Sequence, residues 1–517
     1  MFQKEWLRTR QRLLEQVKSQ VRMRLGPESA ALRRYAKALG REFRGTWGTC
    51  PSEEFHRKVN GARVVLSADF HAYAQAQRAH VRILRDQVNR KSVILALECL
   101  KPEHEEIAAA FMGGKISEAK FLGACRWDEN WGFPFEHYRP LFELARDRGY
   151  VLKGLNTAHD LHKRDRWIAQ KVREWGQANS SALIFVVIGE LHLAKAHLPK
   201  LLRSGFAKTG ELLTLFQDVE ALYFRLAQKG RDGTDEILKS SGDRFCLMVS
   251  PPWMKWQSYL MFLEHAYDRD LQEDLAVDYS DHVASLVELL AGDLRVKVSH
   301  SRVQVYCPSS KASLRRRRWT GKMSRALKYH LEHDMSFFLP EKEWLFLSRP
   351  TINHASTLAG QFLHAQLAHR QRTLWDLPED FLPLIWVEAV GFFFSKWINP
   401  KRKPETLESL RLQLGARRPR DAGRPALLLA LDHRLSEVVW VQTGRLRRPH
   451  RRGDMAAYLE AARMVGTMLG ERLFQKVRSR TISLPELMSY LKMEVGGADF
   501  AEFYWRLIRR VEGGTEP

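Results

Sequence analysis

Ala182-Leu-Ile-Phe-Val-Val-Ile-Gly-Glu-Leu-His192 is the stretch of the sequence that decides the fold. Its continuous apolar run is typical of a strand that is buried on both faces, as in a parallel sheet covered by helices. The run breaks at Gly189, which permits a sharp turn, and Glu190 and His192 follow at once. Open α/β sheets bind ligands beyond the carboxyl ends of their strands, so the stretch predicts a functional site there.

Two earlier stretches end in a similar way. Ala62-Arg-Val-Val-Leu-Ser-Ala-Asp-Phe-His71 is an apolar strand followed by an acid and a histidine, and Ser92-Val-Ile-Leu-Ala-Leu-Glu98 ends in a carboxylate. Side chains two positions apart in an extended chain point the same way, so each acid and the histidine after it are expected to act as a pair. We call the edge at the carboxyl ends of these three strands the rim.

Carboxylates and neutral imidazoles at one rim suit Zn, Mn or Fe, or an acid–base pair around a bound water. A single acid after a strand more often caps a helix, and a single histidine more often packs. Three strands that deliver such groups to one edge favour a functional site. The predicted metal ligands are Asp69, His71, Glu190 and His192. The predicted catalytic residues are Glu98, Glu190 and His192.

A block of aromatic residues between Trp127 and Tyr138 is the second distinctive stretch. Its rings can form a lid over a flat ligand or can wedge the loop onto the core, and both interpretations stay open. His80 either faces back to the rim, as a ligand or as a donor behind the ligands, or faces solvent from a helix. The predicted cofactor-binding residues are His80, Trp131, His137 and Tyr138.

Strand-like and helical stretches alternate over residues 46–310. This alternation predicts an α/β domain with a mostly parallel sheet and helices on both faces. An amphipathic helical segment over residues 1–45 precedes the domain, and a mainly helical domain with a basic surface over residues 311–517 follows it. The predicted strands are Arg63–Ser67, Val93–Glu98, Tyr150–Leu155, Leu183–Ile188, Arg244–Val249 and Val303–Tyr306.

The C-terminal part of the chain has a different pattern. Ser483-Leu-Pro-Glu486 has the spacing of a capping box and predicts the start of a helix. Ala426–Leu431 and Val438–Gln442 together predict a β-hairpin, and the stretch Asn399–Pro425, rich in Pro, Arg and Gly, predicts an exposed loop. The other predicted helices here are Met323–His333, His354–Leu374, Leu382–Trp397 and Met455–Val477.

The chain of 517 residues is 44% hydrophobic and has a net charge of +23, which suits a large core and more than one domain. The excess of basic residues lies mainly between Lys401 and Arg452 and around Arg315–Arg318. Such patches attract nucleic acid or an anionic membrane surface. Because no helix-turn-helix, zinc finger or RNP-type motif stands beside them, an ordinary solvated surface is the favoured interpretation.

The sequence predicts a soluble, cytoplasmic protein. No secretory signal is recognised, and the most apolar run, Phe381 to Trp397, is short for a bilayer and carries Glu388, so no transmembrane segment is expected. The five cysteines lie far apart without a C-x-x-C pair, which favours reduced thiols. G-x-S-x-G and Walker A motifs are absent from the sequence, so neither a serine-nucleophile elbow nor a P-loop is predicted.

At the strand ends and the aromatic block, the chain resembles the ChaN-like haem-binding uptake family of the Tiki/TraB/erythromycin-esterase superfamily. The superfamily's Gly-Glu-x-His motif is intact at Gly189–His192, and its first copy is altered at Ala68–His71, with Ala for Gly and Asp for Glu. Ala96–Glu98 matches the strand that ends in Leu-Glu, and Gly154–Asn156 matches the strand that ends in Asn. The family's Trp…Trp-Gly-Phe…Tyr-x-Pro-Leu block matches Trp127–Leu141.

The resemblance implies a haem- or iron-binding protein whose ligand lies at the rim and the aromatic loop. The implied cofactor is haem or a divalent metal ion, Fe, Mn or Zn. The alternative is a metal-dependent hydrolase of the Tiki/erythromycin-esterase type, in which Glu98 serves as a ligand or general base and a bound water attacks an ester or amide. The family has no counterpart for the residues from about 310 onward.

Overall fold

The protein is described by a computed structural model. The chain divides into two compact units, Met1–Glu264 and His265–Pro517, whereas the sequence placed the main boundary near residue 310. The predicted α/β fold with a mainly helical C-terminal region is confirmed. The described residues are 2–87, 92–206, 208–241, 243–271, 279–299, 303–317, 319, 321–446 and 453–513.

An eight-stranded sheet forms the centre of the first unit. Its strands are β1 (Gly48–Thr49), β2 (Val64–Asp69), β3 (Val93–Leu97), β4 (Val151–Gly154), β5 (Leu183–Gly189), β6 (Leu212–Gln217), β7 (Glu236–Ser240) and β8 (Arg244–Met248). Their order across the sheet is β1-β7-β8-β6-β2-β5-β3-β4. The six strands from β8 to β4 in this order run parallel, and β7 and β1 add to one edge in antiparallel pairing.

The central strands are buried on both faces, as their apolar sequences predict. Every residue of β2 and β3 is buried, and so is every residue of β5 except Gly189. The sequence analysis missed β1, β6 and β7. In β7, buried and half-buried positions mix because the strand lies next to the sheet edge, so the continuous apolar run that reveals the central strands is lacking.

Helices precede, connect and follow the strands of the first unit. Asp160 caps the helix before β5, because its carboxylate accepts a hydrogen bond from the backbone N–H of Lys163 at 2.9 Å. Short 3₁₀ turns cover Pro102–His104 and Glu190–Leu193. The α-helices are α1 (Phe2–Leu25), α2 (Ala30–Glu42), α3 (Ser52–Gly61), α4 (Ala74–Arg85), α5 (Glu105–Met112), α6 (Glu118–Cys125), α7 (Trp127–Asn130), α8 (Phe135–Arg148), α9 (Leu161–Ala178), α10 (Leu198–Leu202), α11 (Glu220–Gln228) and α12 (Pro252–Leu271).

The second unit is mainly helical. Its helices are α13 (Ser280–Leu294), α14 (Lys311–Arg316), α15 (Gly321–Glu332), α16 (Ile352–Leu367), α17 (Phe381–Ile398), α18 (Leu407–Ala416), α19 (Arg424–Thr443), α20 (Met455–Arg478), α21 (Leu484–Leu491) and α22 (Phe500–Glu512). A small sheet joins β9 (Gln304–Tyr306), β10 (Phe337–Leu339) and β11 (Trp344–Phe346) in the order β10-β11-β9. The predicted strand Val303–Tyr306 therefore belongs to this second sheet.

Helix α17 lies at the centre of the second unit. It packs closely on α20 because glycines face it: a Cβ added at Gly466 would lie 2.5 Å from the Cβ of Glu388, and one at Gly470 would lie 2.4 Å from the carbonyl oxygen of Ala389. In the described part of the chain, α17 is the one helix long and apolar enough to cross a membrane. The structure buries 83% of it, as in the core helix of a soluble protein.

The predicted hairpin was wrong and the predicted loop was wrong in part, whereas the predicted capping box and the four other predicted helices are confirmed. The predicted hairpin is the single helix α19, since short apolar runs fit a buried helix as well as a strand, and Pro425 lies in its first turn, where proline is tolerated. The predicted loop Asn399–Pro425 contains α18, which begins at a capping box on Thr406. The predicted capping box at Ser483 starts α21. The basic stretch that ends at Arg452 includes residues 447–452, which lie outside the described part.

Candidate functional site at the strand ends

Three neighbouring strands bring their carboxyl ends to one rim. Strand β5 lies between β2 and β3, and the pairing sets Asp69 opposite Gly189 and Leu97 opposite Val187. The backbone N–H of Glu98 extends this pairing by donating to the carbonyl oxygen of Val187 at 3.0 Å. The acid and histidine side chains that follow the three strands therefore begin at the same level of the sheet.

Asp69 is the buried centre of a hydrogen-bond cluster, with 3% of its surface exposed. Its Oδ2 accepts from Nδ1 of His71 at 2.9 Å and from the hydroxyl of Tyr138 at 3.1 Å, and Oδ1 accepts from the amide of Gln77. Burial alone would raise the pKa of Asp69, but the charge of His71 and its hydrogen bond outweigh burial and lower this pKa. Asp69 is thus an ionised anchor behind His71.

His71 is held at one nitrogen and open at the other. Its side chain is 25% exposed, and Nε2 lies 3.8 Å from Oε2 of Glu98, beyond hydrogen-bond distance. A carboxylate on Nδ1 keeps a proton there, which leaves Nε2 as the nitrogen that can bind a metal. Burial alone would lower the pKa of His71, but Asp69 outweighs it and raises the pKa. Nδ1 of His137 lies 3.3 Å from the carbonyl oxygen of His71.

Gly189 keeps the space in front of His71 open. Its φ of −51° is ordinary for any residue. The prediction that the chain needs a glycine here to turn sharply is therefore wrong. Its N–H donates to Oε2 of Glu98 at 2.7 Å. A Cβ at this position would lie 3.4 Å from that oxygen and 3.5 Å from Nε2 of His71. A side chain here would therefore occupy the volume next to the free nitrogen.

His192 forms a second carboxylate–histidine pair. Its Nδ1 lies 2.5 Å from Oδ1 of Asp165, and the hydroxyl of Tyr35 donates to Oδ2 of the same carboxylate at 2.9 Å. Nε2 of His192 lies 3.8 Å from Oε1 of Glu98, which also accepts from Arg164 at 3.0 Å. Burial would raise the pKa of Glu98, but His71 and His192 outweigh it and lower this pKa. Glu98 thus lies between the two histidines.

Glu190 does not pair with His192 as the sequence analysis expected. Both residues lie in the 3₁₀ turn Glu190–Leu193. In such a turn the side chains of residues two positions apart point in different directions, whereas in a strand they point the same way. Oε2 of Glu190 instead lies 3.1 Å from Nζ of the buried Lys255. The four predicted metal ligands therefore do not form one group. Asp69 and His71 pair with each other, whereas His192 pairs with Asp165 and Glu190 with Lys255.

Some rings of the aromatic block are anchored in the core, and others lie beside His71. The indole N–H of Trp127 donates to the carbonyl oxygen of Phe133 at 2.7 Å, which fixes the loop. Trp131 and Phe133 are half-buried and lie against His71, with ring centroids 4.5 and 5.2 Å from the imidazole. The fully buried rings that anchor the block are those of Trp127, Phe135 and Tyr138. The wedge interpretation is therefore confirmed for the buried rings, and the lid interpretation stays a prediction for Trp131 and Phe133.

His80 and Tyr138 face the core. Nδ1 of His80 lies 2.9 Å from the hydroxyl of Ser67, its Nε2 lies 3.4 Å from the amide of Gln217, and burial lowers its pKa to about 4. The structure therefore places His80 in the core, where its two nitrogens have protein partners. Burial and the charge of Asp69 raise the pKa of Tyr138 well above its usual value, so its phenol stays protonated.

Among the described residues, no group of three or more His, Cys, Asp or Glu side chains is arranged to hold a metal ion. The sequence analysis missed several rim residues. Asp165 carried a signal, because it lies on the same stripe of α9 as the buried Ile168 and Val172, and an acid on an apolar stripe needs a partner. The missed residues with polar contacts at the rim are Tyr35, Gln77, Arg164, Asp165 and Lys255.

Comparison with known proteins supports the family resemblance for part of the chain. Residues 55–164 match the family model described as haem-binding uptake, Tiki superfamily, ChaN. The matched segment includes Asp69, His71, Glu98 and the aromatic block, and it ends before His192. It is well under half of the chain. Neither the search of curated proteins nor the search of solved structures gave a match.

Proposed function

We propose that the first unit binds haem at the rim, with Nε2 of His71 as the nitrogen that ligates the iron. The anchored imidazole carries this proposal, because Asp69 holds Nδ1 at 2.9 Å while Nε2 faces the space left by Gly189. The description of the matched family model, haem-binding uptake, supports haem as the ligand. When bound, haem would supply an iron centre whose properties depend on its axial ligand and surroundings.

Asp69 serves as a positioning residue in this proposal. A carboxylate behind a metal-binding histidine fixes its tautomer and ring orientation and raises its basicity. The hydroxyl of Tyr138 and the amide of Gln77 hold Asp69 in turn. Tyr138 therefore acts through Asp69 and does not itself bind the iron, since its raised pKa disfavours the phenolate.

Trp131 and Phe133 form the aromatic wall of the proposed site. A flat porphyrin packs well on aromatic side chains, and these two rings border the imidazole of His71. Phe133 is supported from behind by Phe262, at a centroid distance of 4.6 Å and an interplanar angle of 27°. The contact with Phe262 therefore helps to hold the ring of Phe133 in place beside His71.

The test is a titration of the purified full-length protein with hemin, followed by the Soret band. We expect a shifted band in the wild type that is lost in His71→Ala. Gly189→Ala should weaken binding because its methyl group enters the space beside Nε2. The matched control is Gly123→Ala in α6, where a Cβ meets nothing within 4 Å. Absence of a Soret shift in the wild type, or unchanged binding by His71→Ala, would reject the proposal.

The second candidate function is metal-dependent hydrolysis of an ester or amide. It is favoured by the position of Glu98, whose two oxygens lie 3.8 Å from Nε2 of His71 and Nε2 of His192 respectively. Elemental analysis of protein purified without chelator separates the two candidates. Stoichiometric Zn or Mn, or Fe in protein without a Soret band, that is lost in His192→Ala supports the hydrolase, and a Soret shift with hemin in protein that holds no such metal supports haem binding.

A further inference from the structure

A cavity of about 250 Å³ lies within the second unit, between α16, α17, α20 and the segment after α17. Ligand pockets in proteins measure roughly 300–1,000 Å³, so this cavity suits a small molecule. We propose that it binds a small organic anion whose carboxylate or phosphate group stands next to a hydroxyl group. The polar side chains that carry the inference are His354, Gln361, Glu388, Arg402 and Arg463.

Arg402 is fixed on one side and open on the other. Its Nη1 donates to the carbonyl oxygen of Asn353 at 3.0 Å, to the hydroxyl of Thr357 at 2.6 Å and to the hydroxyl of Ser395. Its guanidinium also lies over the ring of Phe392, 4.9 Å from the centroid. Nε and Nη2 have no hydrogen-bond partner among the described residues. These two N–H groups form the parallel fork that matches a carboxylate or a phosphate.

Arg463 brings a second cation to the same cavity. It is exposed on α20 and, within the described part of the chain, makes no hydrogen bond or ion pair. Burial, and to a lesser degree the charges of Arg402, Arg349 and Arg463, lower the pKa of His354 to about 4, so this histidine does not compete for an anion as a cation at pH 7. Two guanidinium groups at one cavity, one of them with an open fork, favour an anion.

Glu388 supplies the acceptor for a hydroxyl group. Its Oε1 accepts from the amide of Gln361 at 3.1 Å, and in the described structure its Oε2 has no hydrogen-bond partner. The other two acids of the cavity are engaged elsewhere, since Asp334 pairs with Lys311 and Glu405 accepts from the hydroxyl of Ser409 at 2.8 Å. A ligand held by Arg402 can therefore donate to Glu388 through a neighbouring hydroxyl.

The test measures binding to the full-length protein by isothermal titration calorimetry at low ionic strength. The probes are succinate, malate and inorganic phosphate, and they distinguish the carboxylate from the phosphate as the preferred group. We expect Arg463→Gln to weaken binding about tenfold, the effect of losing one charge-assisted hydrogen bond. Arg506→Gln is the matched control, because Arg506 is an exposed arginine on α22 that does not line the cavity.

Malate and succinate differ by one hydroxyl group and so test Glu388 directly. We expect the wild type to prefer malate and Glu388→Met to lose this preference while it still binds succinate, with thermal melting used to show that the variant is folded. Failure of the wild type to bind all three anions overturns the proposal. Equal weakening by Arg463→Gln and Arg506→Gln also overturns it, because the attraction would then be diffuse charge. An unchanged malate preference in Glu388→Met rejects the hydroxyl contact.

Discussion

The rim of the first unit and a buried network around Glu437 in the second unit are built from similar residue types. Glu437 is fully buried, and its oxygens contact Arg434, Arg472 at 3.2 Å and the hydroxyl of Tyr504 at 2.6 Å. At the rim, by contrast, His71 is 25% exposed and its Nε2 lies 3.8 Å from the nearest carboxylate oxygen. Charges that are buried and paired on every side stabilise the fold, whereas the free Nε2 of His71 is accessible to the ligand that we propose for the rim.

The largest expected effect is the loss of Glu437. Arg434 and Arg472 share two carboxylates, those of Glu437 and Glu512, and Glu437→Ala removes the fully buried one, which should cost about 3 kcal/mol of the free energy of unfolding. Urea denaturation measures this loss. The control is Glu332→Ala, whose exposed carboxylate lies 3.9 Å from Lys328, and it should cost less than about 1 kcal/mol. Equal losses in both variants would remove the distinction between the network and an ordinary surface pair.

The two carboxylate–histidine pairs of the rim should differ in their effect on hemin binding. Asp69→Asn keeps the shape of the side chain but removes the charge behind His71, so hemin affinity should fall about 10–100-fold. Asp165→Asn makes the same change behind the buried His192 and should leave hemin affinity close to that of the wild type. The measurement is a Soret titration of both variants. The reverse result would move the iron ligand from His71 to His192.

The central sheet and the rim could be predicted from the sequence because their signals are local. Strands β2, β3 and β5 are mainly apolar runs. Each has an acidic residue at or directly after its carboxyl end, and this position places the acid at the rim. Parallel strands share one carboxyl edge, so Asp69, His71 and Glu98 could be placed together without any knowledge of the helices.

The remaining contacts of the rim depend on tertiary structure or on a turn type that the sequence does not reveal. Asp165 reaches His192 from a helix, and Glu190 turns to Lys255 because a 3₁₀ turn follows β5 where an extended chain was expected. The predicted hairpin failed for a related reason, since the apolar runs within α19 fit either period. The local sequence pattern thus predicted the strands and the motifs, whereas the partner of each polar side chain depends on how the elements pack together.

The smallest expected effect concerns how two histidines of the first unit, His80 and His71, make the free energy of unfolding depend on pH. Burial lowers the pKa of His80 to about 4, so between pH 7 and pH 5 the unfolded chain binds a proton that the folded chain does not. This difference should cost about 2 kcal/mol of the free energy of unfolding on acidification. His71 acts in the opposite direction: its pKa is raised, so its contribution is present at low pH and is lost as pH rises through the folded pKa.

His80→Gln isolates the core histidine. The variant should lose less stability between pH 7 and pH 5 than the wild type, by about 2 kcal/mol, because glutamine does not titrate. Urea denaturation at the two pH values measures the difference. His159→Gln, which makes the same change at an exposed histidine, is the matched control. If His80→Gln loses as much stability on acidification as the wild type, His80 does not stay neutral in the folded core. The predicted difference between His80 and His71 would then be wrong.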